Sequence, residues 1–268
     1  MITVVSLRKV KGNFYKAAFS NGEELRISED LLVRYRLLKG QELDEAEFNE
    51  IKKKIGYDMG LQMAMNYLSY QMHSEMEVRK YLKEKEIETT DRNQIVETLK
   101  ELDVVNDQNF GDSYIRTQVR LSDKGPGYLS QQLKKKGLAP EVIEHAMTFY
   151  PQKEQLAIAL RSGEKFFKVQ RNKSLRESQQ KLRLQLMQKG FSKEIVNEVL
   201  SLLETEPDEE SEYQALVSQG EKLWRRHQRL EPKKRNMKIK QSLYQKGFAL
   251  DTIQIFLDEK EASDEENF

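Results

Sequence analysis

Apolar residues recur at fixed offsets from three glycines. Aligning the chain on Gly137, Gly190 and Gly247 superimposes YLSQQLKKKGLAPEVIEHAM, KLRLQLMQKGFSKEIVNEVL and KIKQSLYQKGFALDTIQIFL. Four residues before the glycine stand Leu133, Leu186 and Leu243, and eight before it Leu129, Leu182 and Ile239. Six after it come Ile143, Val196 and Ile253, and ten after it Met147, Leu200 and Leu257. Offsets of −8 and −4 lie on one helical stripe, and +6 and +10 on another. Between them the glycine supplies the left-handed residue that ends the first helix. Leu138, Phe191 or Phe248 then turns inward, Ser192 with Glu194 reads as an N-terminal cap, and Pro140 suits a first helical turn. The tetrapeptide QKGF, present at 188–191 and 245–248, is therefore predicted to be a helix stop.

The match extends upstream. Gly163-Glu164-Lys165-Phe166-Phe167 and Gly220-Glu221-Lys222-Leu223-Trp224 begin 27 residues before their glycines, and Tyr114, Phe167 and Trp224 share one register. Each repeat is predicted as three helices with an aromatic anchor on the first. A divergent copy comes earliest, VRKYLKEKEI at Val78–Ile87, with Leu82, Ile95, Leu99 and Leu102 as its apolar positions and Glu86 where the others have glycine. The first segment differs: Ile2–Lys9, Phe14–Phe19 and Glu24–Ile27 are β-prone, with turns at Lys11-Gly12-Asn13 and Ser20-Asn21-Gly22. Ser28 reads as the cap of a helix carrying Leu31, Leu32, Tyr35 and Leu38, and Asp44 starts another with Phe48, Ile51 and Ile55. The expected fold is mainly α: tandem three-helix units in an elongated, curved array, with a small N-terminal β-meander and helices. The expected divisions are 1–57 (meander and helices), 58–106, 107–151, 152–206 and 207–261 (four repeats) and 262–268 (acidic tail).

Composition narrows the chemistry. The chain has 268 residues, 45 Lys+Arg against 44 Asp+Glu, and no cysteine. Disulfide and thiolate chemistry are excluded, and a reducing cytoplasm is the natural setting. The start lacks a secretory signal, and no apolar stretch is long enough to span a membrane. His73, His145 and His227 are isolated from acid or cysteine partners at ligand spacing. Lys124-Gly125-Pro126-Gly127 lacks the ending of a phosphate loop and reads as a linker. No catalytic, cofactor or metal site emerges, so an enzyme is not expected.

Charge segregation is the stronger signal. Acids concentrate in 42–50, 204–212 and the tail from Asp258. Basic patches fall at Arg116 and Arg120, at Lys134, Lys135 and Lys136, at Arg171, Lys173 and Arg176, and at Arg225, Arg226, Arg229, Lys233, Lys234 and Arg235. Lysine just before each terminating glycine (Lys136, Lys189, Lys246) also suits the helix dipole. Such patches fit a polyanion or an acidic protein, giving affinity and steering rather than sequence specificity.

The repeated L-x-x-K-G-[LF] element, the run at Lys124–Leu133, the segment AMNYLSYQMHSEMEVRKYLKEKEI and the link LKELDVVNDQNFGDSYI together resemble the RecX family of recombination regulators. The likeness covers roughly 58–261, and the N-terminal extension and extra C-terminal unit resemble the long form of low-GC Gram-positive bacteria. The resemblance implies a non-enzymatic cytoplasmic protein, without cofactor and expected as a monomer. It would bind the RecA recombinase filament in its groove, contact single- and double-stranded DNA weakly, and modulate recombination, DNA repair and the SOS response. Two alternatives remain: a helical-repeat DNA-binding protein with no recombinase partner, and an adaptor scaffold whose basic blocks are merely solvated.

Overall fold

The structure is a computed structural model and describes residues 1–10, 12–169, 173–203 and 209–265. Lys11 of the first expected turn, Arg171, residues 204–208 of the acidic run and the end of the tail lie outside the described residues. Two compact units are present: one combines Met1–Tyr114 with Gln132–Ala146, the other Ile115–Gln131 with the chain from Met147 onward. Among the described residues no helix is long and apolar enough to cross a membrane.

The N-terminal sheet is antiparallel, in the order β3 (Glu24–Ser28), β2 (Phe14–Phe19), β1 (Ile2–Lys9), β4 (Glu42–Leu43). The fourth strand is an addition to the expected meander, and it pairs Leu43 with Ile2. Helix α1 (Glu29–Arg34) begins at its Ser28 cap but stops sooner than its periodicity suggested. Arg36 adopts φ 51°, which turns Leu37 inward and leaves Leu38 69% exposed. Helix α2 (Glu45–Leu68) starts with a reciprocal cap between Asp44 and Glu47 and runs unbroken through the division expected at 57/58. The same helix serves two cores. Its Phe48 and Ile51 close the sheet with Val4, Phe19 and Ile27, while Ala64 packs among Val78, Leu82, Ile95 and Leu99.

The remaining helices are α3 (Glu75–Glu84), α4 (Thr89–Glu101), α5 (Asp107–Leu121), α6 (Pro126–Lys135), α7 (Pro140–Met147), α8 (Gln152–Val169), α9 (Leu175–Gln188), α10 (Lys193–Leu202), α11 (Glu209–His227), α12 (Pro232–Gln245) and α13 (Leu250–Glu265). The fold is thus mainly helical, with three-helix repeats following a small sheet. All the −8 and −4 residues are buried, as are Leu138, Phe191 and Phe248 just past the glycines. Gly137, Gly190 and Gly247 have φ of 85°, 91° and 95°. The shared aromatic register resolves unevenly: Trp224 is in a core with Leu243 and Phe256, whereas Tyr114 and Phe167 are only half-buried. In the first repeat Leu102, expected inside, is 61% exposed, and Val105 is buried in its place. Asp103, at φ 55°, reverses the chain between them.

The glycines have a second role that their local sequence does not announce. The start of the second helix in one repeat seats on the glycine turn of the next. In the first unit, the Ser74 hydroxyl at the start of α3 donates to the Lys136 carbonyl at 2.6 Å. A Cβ on Gly137 would lie 2.6 Å from the Met76 Cβ. In the second unit, the amides of Gly125 and Gly127 donate to the carbonyls of Lys189 (2.7 Å) and Gly190 (2.9 Å). There a Cβ on Gly190 would stand 2.3 Å from the Tyr128 nitrogen. The third seat, also in the second unit, joins the Ser174 hydroxyl to the Lys246 carbonyl, with Arg176 against Gly247. The KGPG segment is therefore the seated start of α6, which accounts for its glycines.

Two carboxylates reinforce the seats. Asp107 accepts the Glu75 amide at 2.8 Å, and Glu212 accepts the Leu175 amide at 3.0 Å. Burial pushes both carboxyls up, against the pull of those same hydrogen bonds. Glu86 takes the left-handed conformation (φ 61°) on an exposed turn. The first repeat has no predecessor whose helix would have to seat there, so its side chain is tolerated at a cost of about 1–2 kcal/mol.

Gly190→Ala is therefore expected to destabilise the protein in urea melts by at least about 3 kcal/mol, from backbone strain plus overlap with Tyr128. Glu86→Gly should stay within about 1 kcal/mol of wild type, because relief of strain is offset by unfolded-state entropy. Equal effects at the two turns would refute the seating role. Leu186→Ala should cost about 2–5 kcal/mol, as a core truncation, and a surface-like value would refute the repeat register.

Candidate nucleic-acid and protein interface

The seats and repeat cores consume part of the basic charge. Lys136 holds Glu77 at 2.5 Å, and its ammonium lies over the rings of Phe110 (5.4 Å) and Tyr114 (5.9 Å). Burial would raise the Glu77 carboxyl, but Lys136 and the Ser74 amide outweigh it and hold it below its ordinary value. Lys189 likewise bonds Asp123 (2.6 Å) and the Ser162 hydroxyl (2.5 Å), and keeps the Asp123 carboxyl low. Lys246 donates to Gln219. The lysine before each glycine is thus a brace to a neighbouring helix, beyond any favourable interaction with the dipole. Lys136 is half-buried by this role and leaves the set of freely presented cations.

A second set of cations is also structural, and its signal lay in the sequence. Arg79 bonds Asn93, Arg183 bonds Asn197 and Lys240 bonds Gln254, at 2.7, 2.7 and 2.9 Å. Each cation stands seven residues before the turn position and each amide seven after it, which ties the second helix of a repeat to its third.

Arg235 is the clearest departure from the expected patches. It is 9% exposed, and its guanidinium lies 3.7 Å from the centre of the Trp224 ring. A cation over an indole face, with its aliphatic stem packed, belongs to the core of the fourth repeat. Sequence proximity to Lys233 and Lys234 concealed this, because the helical turn sends the third residue to the other side.

The other expected cations reach solvent to different degrees. Arg116 and Arg120 lie one turn apart on α5 and are exposed, with Arg116 stacked 3.9 Å from the Phe149 ring centre. Lys134 and Lys135 are exposed in the last turn of α6. Lys173 is half-buried at the approach to α9, where neighbouring Lys181 pushes its ammonium below the ordinary value. Lys181 is itself held by Glu177. Exposed Arg176 lines a groove of about 330 Å³ with Gln179, Gln180, Arg183 and Leu200.

The densest group lies where α11 meets α12. Arg225, Arg226 and Arg229 precede the turn, Lys233 and Lys234 follow it, and all five are exposed. Two of them form long, exposed ion pairs within their own segment, Arg225 with Glu221 at 4.0 Å and Lys234 with Glu231 at 3.8 Å. The α12 start differs from those of α3, α6 and α9. Its cap residue Glu231 makes no side-chain cap bond and Pro232 occupies the first turn, so it carries neither the serine nor the glycine amides that make a seat elsewhere. Such cations can attract and orient an anionic surface.

Arg235→Ala is expected to lower stability by roughly 1–3 kcal/mol and to red-shift the emission of Trp224, the chain's single tryptophan. Arg226→Ala should change stability by no more than about 0.5 kcal/mol and leave the emission in place. Fluorescence-monitored urea melts would refute the assignment if the two variants behaved alike.

Kinship agrees with the repeat geometry. Residues 61–99, 106–147 and, as two copies, 153–200 and 209–257 match the families described as the first, second and third three-helix domains of RecX. The chain is 53% identical over 266 residues to Regulatory protein RecX of Enterococcus faecalis, covering 99% of this chain and all of that one. It is 35% identical over 265 residues to Regulatory protein RecX of Listeria monocytogenes serotype 4a, covering 99% and 98% of the two chains. Among solved structures, a crystal structure of regulatory protein RecX superposes with a TM-score of 0.61 at 28% identity, over 75% of this chain and all of that one. RecX from Lactobacillus salivarius superposes with a TM-score of 0.52 at 34% identity, over 55% and 98%. By its repeats, its glycine turns and these relatives, the chain belongs to the RecX family of regulatory proteins.

Proposed function

We propose that this protein is a non-enzymatic cytoplasmic regulator of the RecA recombinase, most readily an inhibitor. It would act as a monomer by binding along the recombinase–DNA filament, and so affect recombination, DNA repair and the SOS response. The observation that carries the reading is the sorting of cations within a RecX-type repeat fold. Some brace the repeats, while Arg225, Arg226, Arg229, Lys233 and Lys234 are exposed around one turn. A filament repeats its own surface, and tandem repeats can meet successive protomers. Many weak contacts then act at high effective concentration, so that avidity exceeds any single contact. Basic groups add affinity for DNA phosphates inside the filament without reading sequence.

The second reading, a nucleic-acid-binding protein with no recombinase partner, rests on the same cations and differs in what it predicts. Binding to naked single-stranded DNA, to recombinase alone and to the preformed filament separates them. Clear preference for the filament is expected, whereas equal affinity for naked DNA and filament favours the second reading. Reversing the five exposed charges to Glu should weaken filament or DNA binding at least tenfold at moderate salt while circular dichroism retains the helical signal. Unchanged binding would remove this surface from the interface.

A further inference from the structure

The N-terminal sheet carries a feature that its fold does not need. Arg8 on β1 is paired with Lys16 on β2, and Lys16 with Arg26 on β3. All three are exposed. The strand register therefore sets three positive charges side by side across three adjacent strands, a row of about 10 Å from two strand spacings. Like charges directly opposite one another destabilise a sheet, so folding alone gives no reason for this arrangement.

The surroundings of the row suit an anion. The neighbouring row on the same side pairs Ser6 with Ala18 and Ala18 with Glu24, so two small side chains and one acid flank the cations. Arg26 is held in place, its guanidinium 4.5 Å from the centre of the buried Phe14 ring. Lys16 is bonded to Glu24 at 2.5 Å, while nearby Glu23 is engaged by Lys52 at 2.5 Å. A shallow hollow of about 370 Å³ is lined by Val10, Lys16, Glu24, Leu25 and Arg26.

We propose that this sheet face is a second nucleic-acid contact, in which Arg8, Lys16 and Arg26 bind neighbouring phosphates of a phosphodiester backbone. Lysine is depleted from protein–protein interfaces, whereas here Lys16 is the middle member of the row. Two of the three cations are arginines, whose planar forks match phosphate oxygens. Arg26, already ordered on its ring, loses little freedom on binding. The contact would be sequence-independent, because the row offers cations to phosphate and nothing to base edges.

The test uses the full chain and a fluorescently labelled single-stranded oligonucleotide, with affinity read by anisotropy across a salt series. The naked-DNA probe makes it independent of the recombinase reading. R8Q/K16Q/R26Q is expected to bind about tenfold or more weakly, with a salt slope shallower by about 2, near 0.7 for each lost phosphate contact. Its melting temperature should change little, since relief of like-charge opposition offsets loss of the Lys16–Glu24 pair and the Arg26–Phe14 contact. E24Q removes an acid from the same face and should bind more tightly, which keeps the test decisive should the triple variant fold poorly. Absence of oligonucleotide binding by the wild type at low salt would overturn the proposal, as would unchanged affinity in both variants. Loss of filament binding with naked-DNA binding intact would also overturn it, pointing instead to an acidic protein surface.

Discussion

The organisation of the repeats rests on one close approach: the start of a helix seated against a helix-ending turn where only glycine leaves room. At Gly190 the left-handed backbone both stops α9 and brings its carbonyls within hydrogen-bonding reach of the Gly125 and Gly127 amides. Both sides gain. The last carbonyls of one helix and the first amides of another lack partners within their own helices, and each supplies what the other is missing. Serine hydroxyls make the equivalent bond in the other two seats. Where no preceding helix must seat, Glu86 occupies the same conformation. The glycine requirement therefore follows the neighbour as much as the turn.

This constraint also decides which charges are available for binding. A lysine next to each seated turn is placed to reach across to a neighbouring segment, and Lys136 and Lys189 do so onto Glu77 of α3 and Asp123 just before α6. Charge-assisted bonds in half-buried sites are stronger than exposed pairs, so these cations stabilise the repeats. Among the described residues no glycine turn seats the start of α12, which keeps Lys233 and Lys234 in solvent. The contrast between the seated helix starts and that of α12, rather than the total number of basic residues, accounts for the densest group of exposed cations.

Local information made the repeat legible. Helix faces at −8, −4, +6 and +10, the stop between them and the cap at Ser192 are all set by residues a few positions apart, and all are present. The seats were hidden because they join residues about 60 to 70 apart, such as Ser74 with Lys136. Continuity of α2 through 57/58 was hidden because one helix can pack two cores in succession, and a change in the nature of the core does not require a break in the chain. Arg235 was misread with its neighbours because a charge run says nothing about which member the helix turns inward onto Trp224. The cation row on the sheet depends on strand register, which side-chain alternation alone leaves open for polar faces. The −7/+7 pairing of Arg183 with Asn197 was accessible and required only that polar offsets be compared alongside apolar ones.

Site-resolved amide hydrogen exchange at Gly125 and Gly127, read by NMR on the full chain, tests the seated joint most directly. Gly125 lies just before α6 and Gly127 in its first turn, where an unseated helix would leave both amides open to solvent. Strong protection of both, lost together in Gly190→Ala, is the predicted result. Exchange at the rate of an open loop in the wild-type protein would contradict it.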